Sequence, residues 1–129
     1  MDEQQRRDAG MAMRRTVLGD DHVDRAIAAA TPLTAEFQDL ITRYAWGEVW
    51  TRPGLDLKSR RILVIGTMMA LGRWEELRMH MRAAIDEGGF SAEDVKEIIL
   101  QQAIYCGVPS AHHAFAELSA VIAEHGPLD

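Results

Sequence analysis

Leu57-Lys58-Ser59-Arg60-Arg61-Ile62-Leu63-Val64-Ile65-Gly66-Thr67-Met68-Met69-Ala70-Leu71-Gly72 is the stretch that decides the fold class. Asp56 precedes it as a helix cap and Gly72 closes it, so the pattern predicts one helix from Leu57 to Leu71. Its middle, Ile62 to Ala70, is apolar nearly all round. Such a helix needs cover on every side, at the centre of a domain or in a subunit interface. Downstream, a helix is expected from about Arg73 to Glu87, stopped by Gly88-Gly89. Ser91 caps the next, with Glu93 and Asp94 in the first turn where the dipole favours them, and it runs to Tyr105. The loop Cys106-Gly107-Val108 leads to Pro109, placed as the first residue of a last helix that ends before Gly126-Pro127. Upstream, a polar segment from Glu3 to about Val17 ends at Leu18-Gly19. Asp20 or Asp21 then caps a short helix to Ala30. Thr34 caps another carrying Phe37, Leu40, Ile41 and Tyr44, and Arg52-Pro53-Gly54 forces a turn. No segment alternates as a strand does. The expectation is an all-α chain of about six helices, without repeats or an internal linker.

Composition narrows the function classes. The chain has 129 residues, of which 47% are hydrophobic and 26% charged. That length fits one domain over residues 1–129, burying about two-thirds of its unfolded surface. No apolar run reaches the roughly 20 residues of a membrane span. The start, Met1-Asp2-Glu3-Gln4-Gln5-Arg6-Arg7, lacks an apolar signal core, so a soluble, cytoplasmic chain is expected. Cys106 is the one cysteine, which excludes an intramolecular disulfide and any multi-thiolate metal site. A net charge of −6 argues against a nucleic-acid partner. All basic residues except Lys58 and Lys96 are arginine, the side chain that grips carboxylates bidentately. Genomic base composition explains such an excess equally well.

The densest polar cluster is Arg73-Trp74-Glu75-Glu76-Leu77-Arg78-Met79-His80. Glu76 and His80 are four apart and Arg73 lies three before Glu76, so all three share one helix stripe. A cation, a carboxylate and an imidazole in that order supply an anion clamp, an orienting group and a proton carrier. A solvated face with ordinary ion pairing is the alternative. His80 and Glu76 make two metal ligands, but no third is identifiable, and neighbouring His112 and His113 point about 100° apart on a helix, so no metal is expected. Trp46 and Trp50, four apart and followed by Arg52, read as core packing or as one wall of a flat-ring pocket. No nucleophile elbow, dinucleotide loop or phosphate loop is present.

Three stretches together resemble the γ-carboxymuconolactone decarboxylase family: Leu40-Ile41-Thr42-Arg43-Tyr44-Ala45-Trp46-Gly47-Glu48-Val49-Trp50-Thr51-Arg52-Pro53-Gly54-Leu55, Ala70-Leu71-Gly72-Arg73 through Glu76-Leu77-Arg78-Met79-His80, and Tyr105-Cys106-Gly107-Val108-Pro109. The resemblance implies the helical fold shared with the alkylhydroperoxidase AhpD and a homo-oligomer, commonly a hexamer. It implies an enzyme of protocatechuate breakdown, in the β-ketoadipate pathway, that decarboxylates γ-carboxymuconolactone to the enol-lactone. The peroxidase cousins carry glutamate, cysteine, cysteine and histidine where this chain has Arg61, Arg73, Glu76 and His80, so thiol-based peroxide reduction is excluded. Many of the decarboxylases carry asparagine where this chain has His112.

The implied reaction needs no cofactor, because the lactone carbonyl takes up the electrons that the departing CO2 leaves behind. The protein must hold the acetate arm, stabilise the developing enolate and return a proton to carbon. His80 is the expected acid and Glu76 its orienting partner. Arg73, Arg52 or Arg60 is expected on the acetate arm, since clamping the departing carboxylate would stabilise the ground state. Trp46 or Trp50 is expected to form the apolar wall, and Tyr105 joins the substrate-binding candidates through its motif. Two other readings stay open: a relative acting on a different lactone or cyclic carboxylate, and a non-catalytic helical oligomer that senses a ligand.

Overall fold

A computed structural model describes residues 1–125, and the expected stop at Gly126-Pro127 lies outside them. Those residues form α1 (Glu3–Leu18), α2 (Asp20–Ala29), α3 (Ala35–Ile41), a π-helical segment (Thr42–Val49), α4 (Leu57–Leu71), α5 (Trp74–Asp86), α6 (Ala92–Cys106) and α7 (Val108–His125). The all-α expectation holds, with seven α-helices and a π-helical segment in place of about six helices. They divide into two compact units, one over Met1–Leu57 and one from Lys58 onward.

The first unit is built around α1. Asp2 and Gln5 close a reciprocal cap, the Gln5 N–H donating to Asp2 Oδ1 (2.8 Å) and the Asp2 N–H to Gln5 Oε1 (3.0 Å). The π-helical segment packs on α1, and two glycines set how closely. A Cβ at Gly10 would stand 1.9 Å from the Thr42 carbonyl oxygen, and one at Gly47 2.3 Å from that of Arg6. Ion pairs then tie the edges: Arg6 to Glu48, Arg7 to Asp39, and Arg43 to both Glu3 and Asp39. Three expectations change here. Gly19, not Asp20 or Asp21, is the N-cap of α2, and the two aspartates sit in its first turn, where charge rather than capping suits them. Thr34 caps no N–H of α3; its hydroxyl instead accepts from the Thr31 N–H (3.0 Å) in the preceding turn. The helix expected to carry Phe37 through Tyr44 stays α-helical only to Ile41, then widens into the π turn.

The second unit is an apolar core with helices around it. Ile65 and Met69 of α4, Leu77 and Met81 of α5, Val95 and Ile99 of α6 and Val121 of α7 are fully buried together. Each contributes about 1.5–3 kcal/mol of transfer free energy. Gly72, Gly89 and Gly107 carry positive φ at the turns between the helices. Ser91 and Asp94 form the reciprocal cap of α6. The last helix starts at Val108, with Pro109 its second residue. The strongest departure concerns α4. Ile65 and Met69 are buried, but Leu63 is 57% and Leu71 65% exposed, so within one chain this helix is covered on one face only.

Candidate active site

Helix α5 presents three faces, and its spacing assigns each a task. Leu77, Met81 and Ala84 lie in the core. Trp74, Arg78 and Arg82 turn to α7: Trp74 stacks on His113 (centroids 3.8 Å apart), Arg78 pairs with Glu117, and Arg82 with Glu124. The remaining stripe is Arg73, Glu76 and His80. Arg73 occupies the N-cap with φ −89° and ψ 77°, so it stands just ahead of the first turn rather than in it. Its N–H donates to the Met68 carbonyl (2.9 Å) and its carbonyl accepts from Leu77 (2.8 Å), which fixes the α4–α5 corner. Glu76 is exposed in the first turn, and His80 is half-buried and engaged. Glu76 and His80 stand one turn apart on this helix.

The face toward α7 holds a cluster that sequence reading missed. Glu117 is 8% exposed, an unusual setting for a carboxylate. Arg78 Nε donates to its Oε2 at 2.5 Å, and His113 Nε2 lies 3.5 Å from its Oε1. Pairing with Glu117 raises the Arg78 pKa further above its ordinary value. The legible signal was His113 and Glu117 at a spacing of four on one helix.

In the first unit the π turn brings Trp46 and Trp50 into a stack, centroids 5.0 Å apart and planes 27° from parallel. Trp46 is buried and Trp50 half-buried, so the pair serves as packing and offers one partly open edge. Thr51 Oγ1 donates back to the Gly47 carbonyl (2.8 Å), and Arg52 follows, exposed, in the turn. In the second unit Arg60 is half-buried and Arg61 buried on α4. Burial pushes the Arg61 guanidinium below its ordinary pKa, against the pull of Glu87. Tyr105 is 78% exposed at the end of α6. Cys106 is the last residue of α6 rather than a loop residue, and its side chain packs against the core. His112 is exposed.

A cleft of about 600 Å³ runs between α4 and α6, lined by Ile62, Leu63, Gly66, Phe90, Ile98 and Gln102 among others. It contains neither His80 nor an arginine, so size alone does not mark the chemistry. The cation, carboxylate and imidazole of Arg73, Glu76 and His80 lie apart from that cleft's lining, along a helix held by the core. Among the described residues no group of three or more His, Cys, Asp or Glu side chains is arranged to hold a metal ion. No described helix is long and apolar enough to cross a membrane.

The family model for the carboxymuconolactone decarboxylase family matches residues 35–120. The 4-carboxymuconolactone decarboxylase of Acinetobacter baylyi is 39% identical over 126 residues, covering 98% of this chain and 93% of that one. Nitrosuccinic acid decarboxylase npaB of Metarhizium robertsii is 45% identical over 115 residues, covering 88% and 80%. A 4-carboxymuconolactone decarboxylase sequence of Pseudomonas putida is 56% identical over 48 residues, 37% of this chain and all of that one. With a match over most of its length and a relative aligned nearly end to end, this chain belongs to the carboxymuconolactone decarboxylase family.

Proposed function

We propose that the chain is a cofactor-independent carboxy-lyase that converts γ-carboxymuconolactone to β-ketoadipate enol-lactone, with residues 1–129 acting as one functional domain. The near end-to-end likeness to the Acinetobacter decarboxylase carries this reading, and the Arg73–Glu76–His80 stripe supports it. The C–CO2 bond on the lactone ring breaks, and its electron pair moves through the C=C into the lactone carbonyl. His80 then gives a proton to the ring carbon beside that carbonyl, restoring a neutral lactone. Arg73, Arg52 or Arg60 is the candidate for the acetate arm, and Trp46 or Trp50 for the apolar surface near the departing CO2. Tyr105, exposed on the single chain, stands as a substrate-binding candidate through its motif. A cytoplasmic place in protocatechuate catabolism follows from the same substrate.

A homohexamer belongs to this reading. Leu63, Leu71, Ile104, Tyr105 and Val108 are all more than half exposed and lie on α4, α6 and the start of α7. So much apolar surface on a small chain calls for cover by further copies. Light scattering at micromolar concentration should give a mass several times that of one chain; a stable monomer would overturn it.

The Metarhizium relative favours one second reading, nitrosuccinic acid as substrate. Its nitro group can take up the electron pair as the lactone carbonyl does, and carbon again needs a proton. Assaying both substrates decides between them. Decay of enzymatically generated γ-carboxymuconolactone, with enol-lactone as product, is the expected result. CO2 release from nitrosuccinate alone would move the chain to the second reading.

A further inference from the structure

Four arginines project from α1, and three of them meet carboxylates. Arg6 pairs with Glu3 and Glu48, Arg7 with Asp39, and Arg15 with Asp20 and Asp24. Arg14 does not, although it is the most deeply buried of the four at 7% exposed. Its Nη2 donates to the neutral Gln38 Oε1 (3.1 Å), its Nε–H meets no acceptor, and among the described residues no carboxylate pairs with it. Burial alone lowers its pKa, with no acidic neighbour opposing. A buried guanidinium without a counter-charge costs several kcal/mol, and chains seldom retain one without a partner.

The space beside it identifies what is missing. Arg14 lines a cavity of about 210 Å³ whose apolar side is Met11, Ala26, Ile27 and Ala30. Arg7 and Asp39 line it too, but the Asp39 carboxylate is already held by Arg7 (2.7 Å) and Arg43 (2.8 Å). The one acid on the wall is thus neutralised, and the positive charge of Arg14 is left over. We infer that this cavity binds a compact organic monocarboxylate, its carboxylate on Arg14 and its apolar body against α2. A planar guanidinium fits a carboxylate in a bidentate fork. The apolar wall selects against inorganic phosphate. The volume is below the roughly 300–1,000 Å³ of drug-sized sites, which limits the ligand to about the size of benzoate. The inference is independent of the decarboxylase reading, whose proton carrier lies on α5.

Isothermal titration of the full-length protein with benzoate, acetate and inorganic phosphate tests it. Benzoate should bind, acetate more weakly for want of an apolar body, and phosphate least. Arg14→Met should weaken benzoate about 10–100-fold, the loss of a charge-assisted bond. Ala26→Leu keeps the charge and fills the cavity, and should weaken it comparably even if Arg14→Met does not fold. Arg73→Met should bind benzoate as the unaltered protein does, which separates this site from a carboxylate held by the cation of the stripe. Absence of millimolar binding, unchanged affinity in both cavity variants, equal affinity for phosphate, or loss confined to Arg73→Met would each overturn the assignment.

Discussion

Among the described residues, the unit over Met1–Leu57 buries four hydrophobic side chains, Val17, Leu18, Val23 and Trp46, whereas the unit from Lys58 onward buries fourteen. The first compensates with backbone contact across Gly10 and Gly47 and with a web of arginine–carboxylate pairs. The second surrounds a continuous apolar core, with Arg61 and Glu117 as its buried charges, and α5 uses one face for that core and another for the stripe of Glu76 and His80. A stripe mounted on a packed helix is held in place by residues that take no part in chemistry. The difference therefore predicts that activity and stability separate in the second unit, and that charge and close approach govern the first.

The largest expected effect tests that separation. His80→Ala should lower turnover about 10²–10⁴-fold, the usual contribution of a positioned proton donor, with the thermal midpoint little changed. Glu76→Gln should cost less, because Glu76 orients the imidazole and does not itself carry the proton to carbon. Wild-type turnover in His80→Ala would mean that the stripe is only a solvated face. Leu77→Ala is the converse: a fully buried side chain is truncated on the same helix, which should cost about 2–5 kcal/mol in chemical denaturation.

The first unit should break differently. Gly10→Ala adds only a methyl group, but places it 1.9 Å from the Thr42 carbonyl oxygen. Backbone cannot swing aside as a side chain can, so α1 and the π turn must part, at about 1–3 kcal/mol. A neutral outcome by thermal melting would show that the approach is looser than the geometry gives.

Acid and base should also find different units. Arg43 and Arg7 hold the Glu3 and Asp39 carboxylates, respectively, below their ordinary values of 4.5 and 3.8. Their stabilisation is present above the unfolded values and is lost as pH falls through the lower folded ones. His125 has the opposite sign: its bonds to the Val121 carbonyl and to Asp86 raise it above 6.5. That contribution is complete below 6.5 and fades as pH rises through the folded value. Hydrogen exchange should therefore show α1 loosening toward acid pH and the end of α7 loosening above neutrality. Loosening of both ends in the same direction would contradict the assignment.

The same contrast explains what the sequence made legible. In the second unit, apolar spacing, Gly72, Ser91 and the Gly107 turn all point one way, and α4 matched its expected bounds. In the first, the π turn left no trace, since i,i+4 spacing of Trp46 and Trp50 reads the same in an α-helix. Arg14 was equally hidden: beside Arg15 in the chain it is one more basic residue, and only tertiary packing leaves it without an acid. The stripe was readable because helix geometry alone aligns Glu76 and His80, with Arg73 at the cap just before them. Glu117 was not, because its burial depends on where α5 and α7 meet.

The smallest expected effect falls where the two kinds of role come closest, at the end of α6. Cys106 is a lone thiol in the Tyr105–Pro109 motif, the position at which a reactive cysteine would be looked for first. Its side chain nevertheless packs against the core cluster, and Gly107, with φ 96°, turns the chain directly after it. A thiol so placed acts as a small hydrophobe, and serine nearly matches it in size. Cys106→Ser should then cost at most about 1 kcal/mol, the penalty of setting a hydroxyl in a partly apolar site. Turnover should stay near normal, and peroxide reduction should be absent before and after the change, since a lone thiol has no resolving partner. A variant that folds normally but loses most of its decarboxylation would move the chemistry from α5 to the end of α6.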